Sequence, residues 1–179
     1  ATEIQNNIHE DAQAFYEKGL ALHDIGKYLE AETSFLKALE LAKDIDDKET
    51  LAFSFHYLGN IEGWKSNSPQ SIIYHKKAHA LFSELSNSEY QAISNNQISS
   101  SFMALGEYDS TLVYSTKNID NRNSIDTNQP VLDSYLATAS VYASLNNYKQ
   151  AYSYLQQGIE YAEEIGSKIF MAELYYTAG

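Results

Sequence analysis

His75 and His79 stand four residues apart, the interval that puts two imidazoles on one face of a helix, where they could share a metal ion. A protein metal site needs three or four ligands, and no carboxylate is placed to complete one. The two histidines flank Lys76 and Lys77 at positions that pack inward, so a structural role is expected, with no metal and no cofactor. His9-Glu10-Asp11 reads as a charged helix start. The acid pairs Asp46-Asp47 and Glu163-Glu164 fall in helix ends or loops, where solvated charge is the ordinary state. The chain has no cysteine, no Gly-rich phosphate loop, no nucleophile elbow and no Ser-His-Asp spacing. No catalytic residue is therefore named, and no enzyme activity is expected.

The elements that would position any site follow from a repeat. Gly26-Lys27-Tyr28-Leu29-Glu30-Ala31 returns forty residues apart as Gly106-Glu107-Tyr108-Asp109-Ser110-Thr111 and again as Asn146-Asn147-Tyr148-Lys149-Gln150-Ala151, with a fainter copy at Ser66-Asn67-Ser68-Pro69-Gln70-Ser71. A fixed period through the whole chain marks a stack of like units, which generally binds rather than transforms. Two prolines, eight glycines and the lack of β-branched alternating runs point to helix throughout. Aligned on the period, one column reads Gly19, Gly59, Ser99, Ala139, Gly179; others read Ala31, Ser71, Thr111, Ala151 and Ala38, Ala78, Asn118, Gly158. Small residues at fixed helical positions let antiparallel helices approach closely. Large ones alternate with them at Phe15, Phe55, Asn95, Tyr135, Tyr175 and at Tyr28, Ser68, Tyr108, Tyr148.

These columns resemble the tetratricopeptide repeat. Phe15, Gly19, Gly26-Lys27-Tyr28-Leu29-Glu30-Ala31, Phe35 and Ala38 carry the resemblance in the first copy. Phe55, Leu58-Gly59 and Ala78 carry it in the second, and Tyr135, Tyr142, Tyr148, Ala151 and Leu155 in the fourth. The resemblance implies an all-α, right-handed superhelical solenoid of antiparallel helix pairs: four repeats plus a ninth, partial-repeat helix. Its units are 12–51, 52–91, 92–131 (divergent) and 132–171, after a lead-in at 1–11 and before a truncated helix at 172–179. Helices are expected at 12–25, 28–45, 50–64, 69–86, 89–105, 108–121, 130–145 and 148–165, with a ninth from about 168.

The unit departs from the family's usual 34 residues by six, which should lengthen the second helix or the connection, as at Lys43 to Lys48. Long units of this kind are similar to those of bacterial peptide-responsive regulators, kinesin light chains and the sensor regions of some histidine kinases and transcription factors. The third copy is the weakest, with Asn95, Ser99, Ser115 and Asn118 in the packing columns, and its exit from Asn118 to Gln129 is expected to be the softest joint. The chain opens at Ala1 rather than Met and stops eight residues into a fifth copy, with Ile169, Leu174 and Tyr175 lacking a partner helix. It is expected to be a fragment of a longer protein.

The resemblance also implies where a partner would lie: on the concave face lined by first helices. The residues assigned there are Tyr16, His23, His56, Asn60, Trp64, Asn96, Ser100, Met103, Ser140 and Tyr176, with Asp133 at a further lining position of the fourth repeat. Asn60 and Asn96 could each give and accept a hydrogen bond with a peptide backbone, and Trp64 could anchor beside them. The lining holds no lysine or arginine, and Tyr16 and Leu20 occupy places where chaperone co-factors of the family carry carboxylate-gripping residues, so that clamp is not expected. With a net charge of −12 and Arg122 as the sole arginine, the chain lacks the basic stripe of a nucleic-acid binder. No apolar run approaches the roughly 20 residues of a membrane span. The expected function is a non-catalytic protein- or peptide-binding module. The alternative is the sensor or dimerisation region of a transcriptional regulator or sensor kinase, with its output domain outside this chain. A Rap-phosphatase type of enzyme would need a further helical catalytic domain. A cytoplasmic location is expected, a periplasmic sensor segment being the alternative, and a homodimer could form through the open C-terminal end.

Overall fold

The structure, a computed structural model, describes residues 2–167, and all the regular elements among them are helices. They are α1 (Glu3–Asp24), α2 (Tyr28–Asp44), α3 (Lys48–Trp64), α4 (Ser68–Glu84), α5 (Ser88–Ala104), α6 (Tyr108–Asp120), α7 (Gln129–Ser144) and α8 (Tyr148–Glu164), with a 3-10 turn at Arg122–Ser124 before α7. Seven start within two residues of expectation. The exception is α1, which begins at Glu3 rather than at 12, because Thr2 and Gln5 form a reciprocal cap. The Thr2 hydroxyl accepts from the Gln5 N–H at 3.3 Å, and the Gln5 carboxamide accepts from the Thr2 N–H at 3.0 Å. That box satisfies two of the donors a helix start leaves open. The residues of the expected ninth helix, from about 168, lie outside the described residues, Ile169, Leu174, Tyr175 and Tyr176 among them. Among the described residues no helix is long and apolar enough to cross a membrane.

A second, shorter period sets the helix ends. Gly26, Asp46, Ser66, Ser86, Gly106, Asn146 and Gly166 all have φ between 54° and 77°. They recur every twenty residues and miss only position 126, where the 3-10 turn intervenes. Each ends a helix in the same way. Gly26 N–H donates to the His23 carbonyl at 2.9 Å and Lys27 N–H to the Leu22 carbonyl at 2.8 Å. The pairs Ser66/Asn67, Ser86/Asn87 and Asn146/Asn147 repeat this pattern on their own helices. This is the Schellman closure, in which a left-handed residue turns the chain so that orphan carbonyls are satisfied. Five of the helices are 17 residues long with three-residue turns between them. The six residues beyond the ordinary repeat have thus gone into helix: α2 runs to Asp44 and turns through Ile45, Asp46 and Asp47.

The chain divides into two compact units, residues 1–87 and residues 88–179. In the first, α1–α2 and α3–α4 are antiparallel pairs whose close approach depends on Gly19 and Gly59. A Cβ on Gly19 would stand 2.6 Å from Phe35, and one on Gly59 would stand 2.6 Å from the His75 ring. The phenyl and the imidazole therefore lie flat on bare helix backbone. Phe35 also stacks on Tyr57 at 5.2 Å, and Phe53 meets Phe82 edge-on at 5.0 Å.

In the second unit the α7–α8 pair has an apolar core of Val131, Leu132, Tyr135, Ala139, Leu155, Ile159 and Ala162. The α5–α6 pair differs: Ser94, Asn95, Ser99, Thr111, Ser115 and Asn118 are all buried. Two columns have exchanged size. Asn95 stands where Phe15, Phe55 and Tyr135 stand, and Asn118 where Ala38, Ala78 and Gly158 stand. The two meet, Asn95 Nδ2 donating to Asn118 Oδ1 at 2.9 Å. A carboxamide from α6 thus reaches into space that an aromatic from the first helix fills elsewhere. Asn118 Nδ2 in turn reaches the Ala92 carbonyl, Asn96 Oδ1 and the Ser134 hydroxyl at 2.9–3.0 Å. The exit from α6 is therefore tied rather than loose. Ser88 and Asp126 bind each other twice, and the Tyr161 hydroxyl donates to Asn128 Oδ1 at 2.7 Å. The expected soft joint is pinned, and the division of the chain falls instead between Asn87 and Ser88.

Candidate functional site

The divergent third repeat opens a cavity. The column that carries Phe35, His75 and Leu155 carries Ser115 here, and the column of Tyr16, His56 and Leu136 carries Asn96. Replacing bulky side chains with small ones in a packed stack leaves space unless neighbours collapse into it. A cavity of about 490 Å³ lies between α5, α6 and α7, lined by Asn96, Gln97, Ser99, Ser100, Met103, Thr111, Asp133, Ala137 and Ser140. Its walls follow helical periodicity: 96, 100 and 103 share one face of α5, and 133, 137 and 140 share one face of α7. Volumes of 300–1,000 Å³ are typical of ligand sites.

Four of the residues assigned to the binding face meet in this cavity: Asn96, Ser100, Met103 and Ser140, with Asp133 beside them. Gln97, Ser99, Thr111 and Ala137 complete it, and none of them is among the residues assigned to the binding face. Ser99 and Thr111 belong to the packing columns of the repeat, and each is 1% exposed. The clue was available: the third copy carries small polar residues in several columns at once.

Asn96 is held more tightly than expected. Its Nδ2 donates to the Pro130 carbonyl at 2.9 Å, and its Oδ1 accepts from Asn118 Nδ2 at 2.9 Å and from the Ser134 hydroxyl at 2.7 Å. Asn96 Oδ1 thus has two protein donors within reach, the Ser134 hydroxyl being shared with the Pro130 carbonyl, and one Nδ2 hydrogen is left over for a peptide backbone. The Asn96–Pro130 and Asn96–Ser134 bonds also fix the register of α5 beside α7. Asn96 sits next to Asp133, and Met103 lies at the other end with Ser140. Ser100 and Ser140 are exposed and Met103 is half-buried. Asp133 is exposed and accepts from Gln129 Nε2 at 2.8 Å.

The residues assigned in the first unit form a packed aromatic and imidazole cluster. His56 is 6% exposed, which corrects its assignment to an open face. It meets His75 edge-on at 5.5 Å, and its Nε2 lies 3.2 Å from Asn60 Nδ2. Asn60 Oδ1 is buried without a hydrogen-bond partner, so it is not presented to an incoming peptide. Burial, and secondarily the charge of His23, pushes His56 down to about 4; burial, and then His56, pushes His75 down to about 3. Both imidazoles are thus neutral near pH 7, and the His75 ring packs against Gly59. Tyr16 lies among Phe35, Phe53 and Tyr57 at 6.0–6.3 Å. Trp64 remains 54% exposed while it stacks on His23 at 4.9 Å and touches Tyr28 at 4.0 Å between centroids.

The comparisons fit this architecture. The tetratricopeptide repeat family matches residues 12–45 and 132–165. No curated protein matches the chain significantly. Among solved structures, the apo form of RapI is similar over 93% of this chain and 61% of its own, with a TM-score of 0.82 at 16% identity. BtubC (BKLC) from P. vanneervenii is similar over 87% of this chain and 65% of its own, with a TM-score of 0.77 at 13% identity. A Rap protein complexed with competence and sporulation factor has a TM-score of 0.70 at 12% identity, over 94% of this chain and 47% of its own. The chain thus spans less than two thirds of the length of these three. Its first and last helix pairs match the tetratricopeptide-repeat family model in sequence, and its helices share the fold of these solved structures.

Proposed function

We propose that the chain is a binding module that takes a short peptide, or an extended segment of a partner protein, in the groove between α5 and α7. The observation that carries this reading is the convergence of Asn96, Ser100, Met103 and Ser140, with Asp133, on one cavity of about 490 Å³. Its lining suits a peptide: amides and hydroxyls for main-chain groups, Met103 as an adaptable apolar surface. The similarity to a Rap protein complexed with competence and sporulation factor supports a ligand-binding role for such an array. In the first unit Trp64, exposed beside His23 and Tyr28, offers an aromatic edge.

Selection of a displayed random hexapeptide library on the immobilised protein tests the reading. Binders are expected, and Ser100→Arg with Ser140→Arg, two exposed helix positions, should weaken them at least tenfold without changing helicity. Binders that ignore both substitutions, or none at all, would remove the groove from the account.

A further inference from the structure

The cavity in the second unit corresponds to a place that the chain fills with its own aromatic ring in the first. Tyr57, on α3, lies over Phe35 with the rings 9° from parallel and their centroids 5.2 Å apart. The same ring meets His23 edge-on at 5.1 Å and reaches Tyr16 at 6.3 Å. Two repeats further along the chain, the positions of Tyr57, Phe35, His23 and Tyr16 carry Ala137, Ser115, Met103 and Asn96. Ala137, Met103 and Asn96 all line the cavity, as do Ser99 and Thr111, the counterparts of Gly19 and Ala31. Both stacked rings are thus gone, and the columns that were small stay small. The gap is held open. Asn96 bonds to the Pro130 carbonyl at 2.9 Å and to the Ser134 hydroxyl at 2.7 Å, tying α5 to α7 in a fixed register. Where neighbours cannot collapse inward, removal of bulk leaves space.

Resting on the proposed peptide groove, we infer that its specificity lies in one aromatic side chain of the bound segment. A phenylalanine or tyrosine enters between α5 and α7 over Ala137 and takes the place that Tyr57 takes in the first unit. One ring suffices, because the immediate neighbours of an inserted residue in extended chain point the other way. Met103 meets the ring through its thioether, a contact that favours an aromatic over an aliphatic side chain. The ring brings about 150–250 Å² of surface to a site that is already formed, so little ordering of the walls opposes its entry. A leucine fills less of the space, and an alanine almost none.

The test titrates three peptides into the 179-residue chain labelled with ¹³C-methyl methionine: acetyl-Gly-Ser-Phe-Ser-Gly-amide, and the same peptide with leucine or alanine in place of phenylalanine. The phenylalanine peptide should bind at least tenfold tighter than the alanine peptide, with the leucine peptide between them. Its ring current should move the Met103 methyl signal well beyond any shift that the leucine peptide gives at saturation. Ala137→Tyr, which supplies the missing ring from within, should keep the helicity and remove the preference for phenylalanine. Equal binding of the three peptides, a Met103 signal that answers phenylalanine no more than leucine, or a preference that survives in folded Ala137→Tyr would overturn this inference while leaving the groove in place. The Met103 comparison needs only the unaltered chain, so it decides even where Ala137→Tyr does not fold. Absence of binding by the phenylalanine peptide also overturns the inference, and together with an empty hexapeptide selection it overturns the groove as well.

Discussion

Gly19 and Gly59 show how little tolerance the helix crossings have. A methyl on either must displace an aromatic or imidazole ring that already lies 2.6 Å from where its Cβ would be. Gly59→Ala would gain about 1 kcal/mol of helix propensity. The overpacking should outweigh this, for a net loss of about 1–2 kcal/mol in urea denaturation. Asn118 is the more informative position. Asn118→Ala removes the carboxamide that holds Asn95, Ala92, Asn96 and Ser134, and should cost about 2–4 kcal/mol. Asn95→Phe alone overpacks the same space. The pair together restores the aromatic-and-small pattern of the other copies and should recover at least half the loss. If the double variant is no more stable than Asn118→Ala, the exchange of sizes between the two columns is not what holds α5 to α6.

At the scale of the helix and its turn, the structure repeats every twenty residues where the sequence shows forty. Gly26 and Gly106 are legible because glycine is the residue that a left-handed turn favours. Asp46, Ser66 and Ser86 adopt the same φ without it, so the alternate turns leave little trace in the sequence. A non-glycine residue there is disfavoured by about 1–2 kcal/mol, partly offset by glycine's greater freedom when unfolded. Ser66→Gly and Ser86→Gly should therefore each raise stability by about 0.5–1 kcal/mol, read from denaturation midpoints. The start of α1 was missed for a similar reason: the Thr2–Gln5 cap is a local device outside the forty-residue pattern. The polar exit of α6 looked loose because asparagines and serines usually mark loops. Here Asn118, Asn128 and Ser88 are hydrogen-bond anchors, a role that composition does not distinguish. Of the residues assigned to a binding face, those on α5 and α7 line one cavity, while those on α1 and α3 lie in or beside a packed aromatic cluster. There, bulky Tyr16, Phe53 and Tyr57 close the space that Asn96 and Ser100 leave open.

For the whole chain, the histidines mark an asymmetry. His9, His23, His56, His75 and His79 all fall within residues 1–87, and residues 88–179 hold none. Folded His56 and His75 titrate at about 4 and 3, below the ordinary 6.5, so the unfolded chain binds more protons over that interval. Their contribution is complete above pH 6.5, declines as the pH falls below it, and is lost once the pH passes the folded values, on the order of a few kcal/mol in all. Trp64 fluorescence, which reports residues 1–87, should therefore show a denaturation midpoint that falls between pH 7 and pH 4.5. His75→Phe, which recreates the Gly19–Phe35 arrangement against Gly59, should flatten that dependence.

The central claim is the groove between α5 and α7, and Met103 is placed to test it. The chain has two methionines, Met103 and Met171, so ¹³C-methyl labelling of methionine gives a spectrum that Met103→Leu assigns by difference. Titration with a hexapeptide recovered from the library should shift the Met103 methyl signal saturably, and Ser100→Arg with Ser140→Arg should abolish the shift. A peptide that binds the protein while the Met103 signal stays fixed would contradict the account.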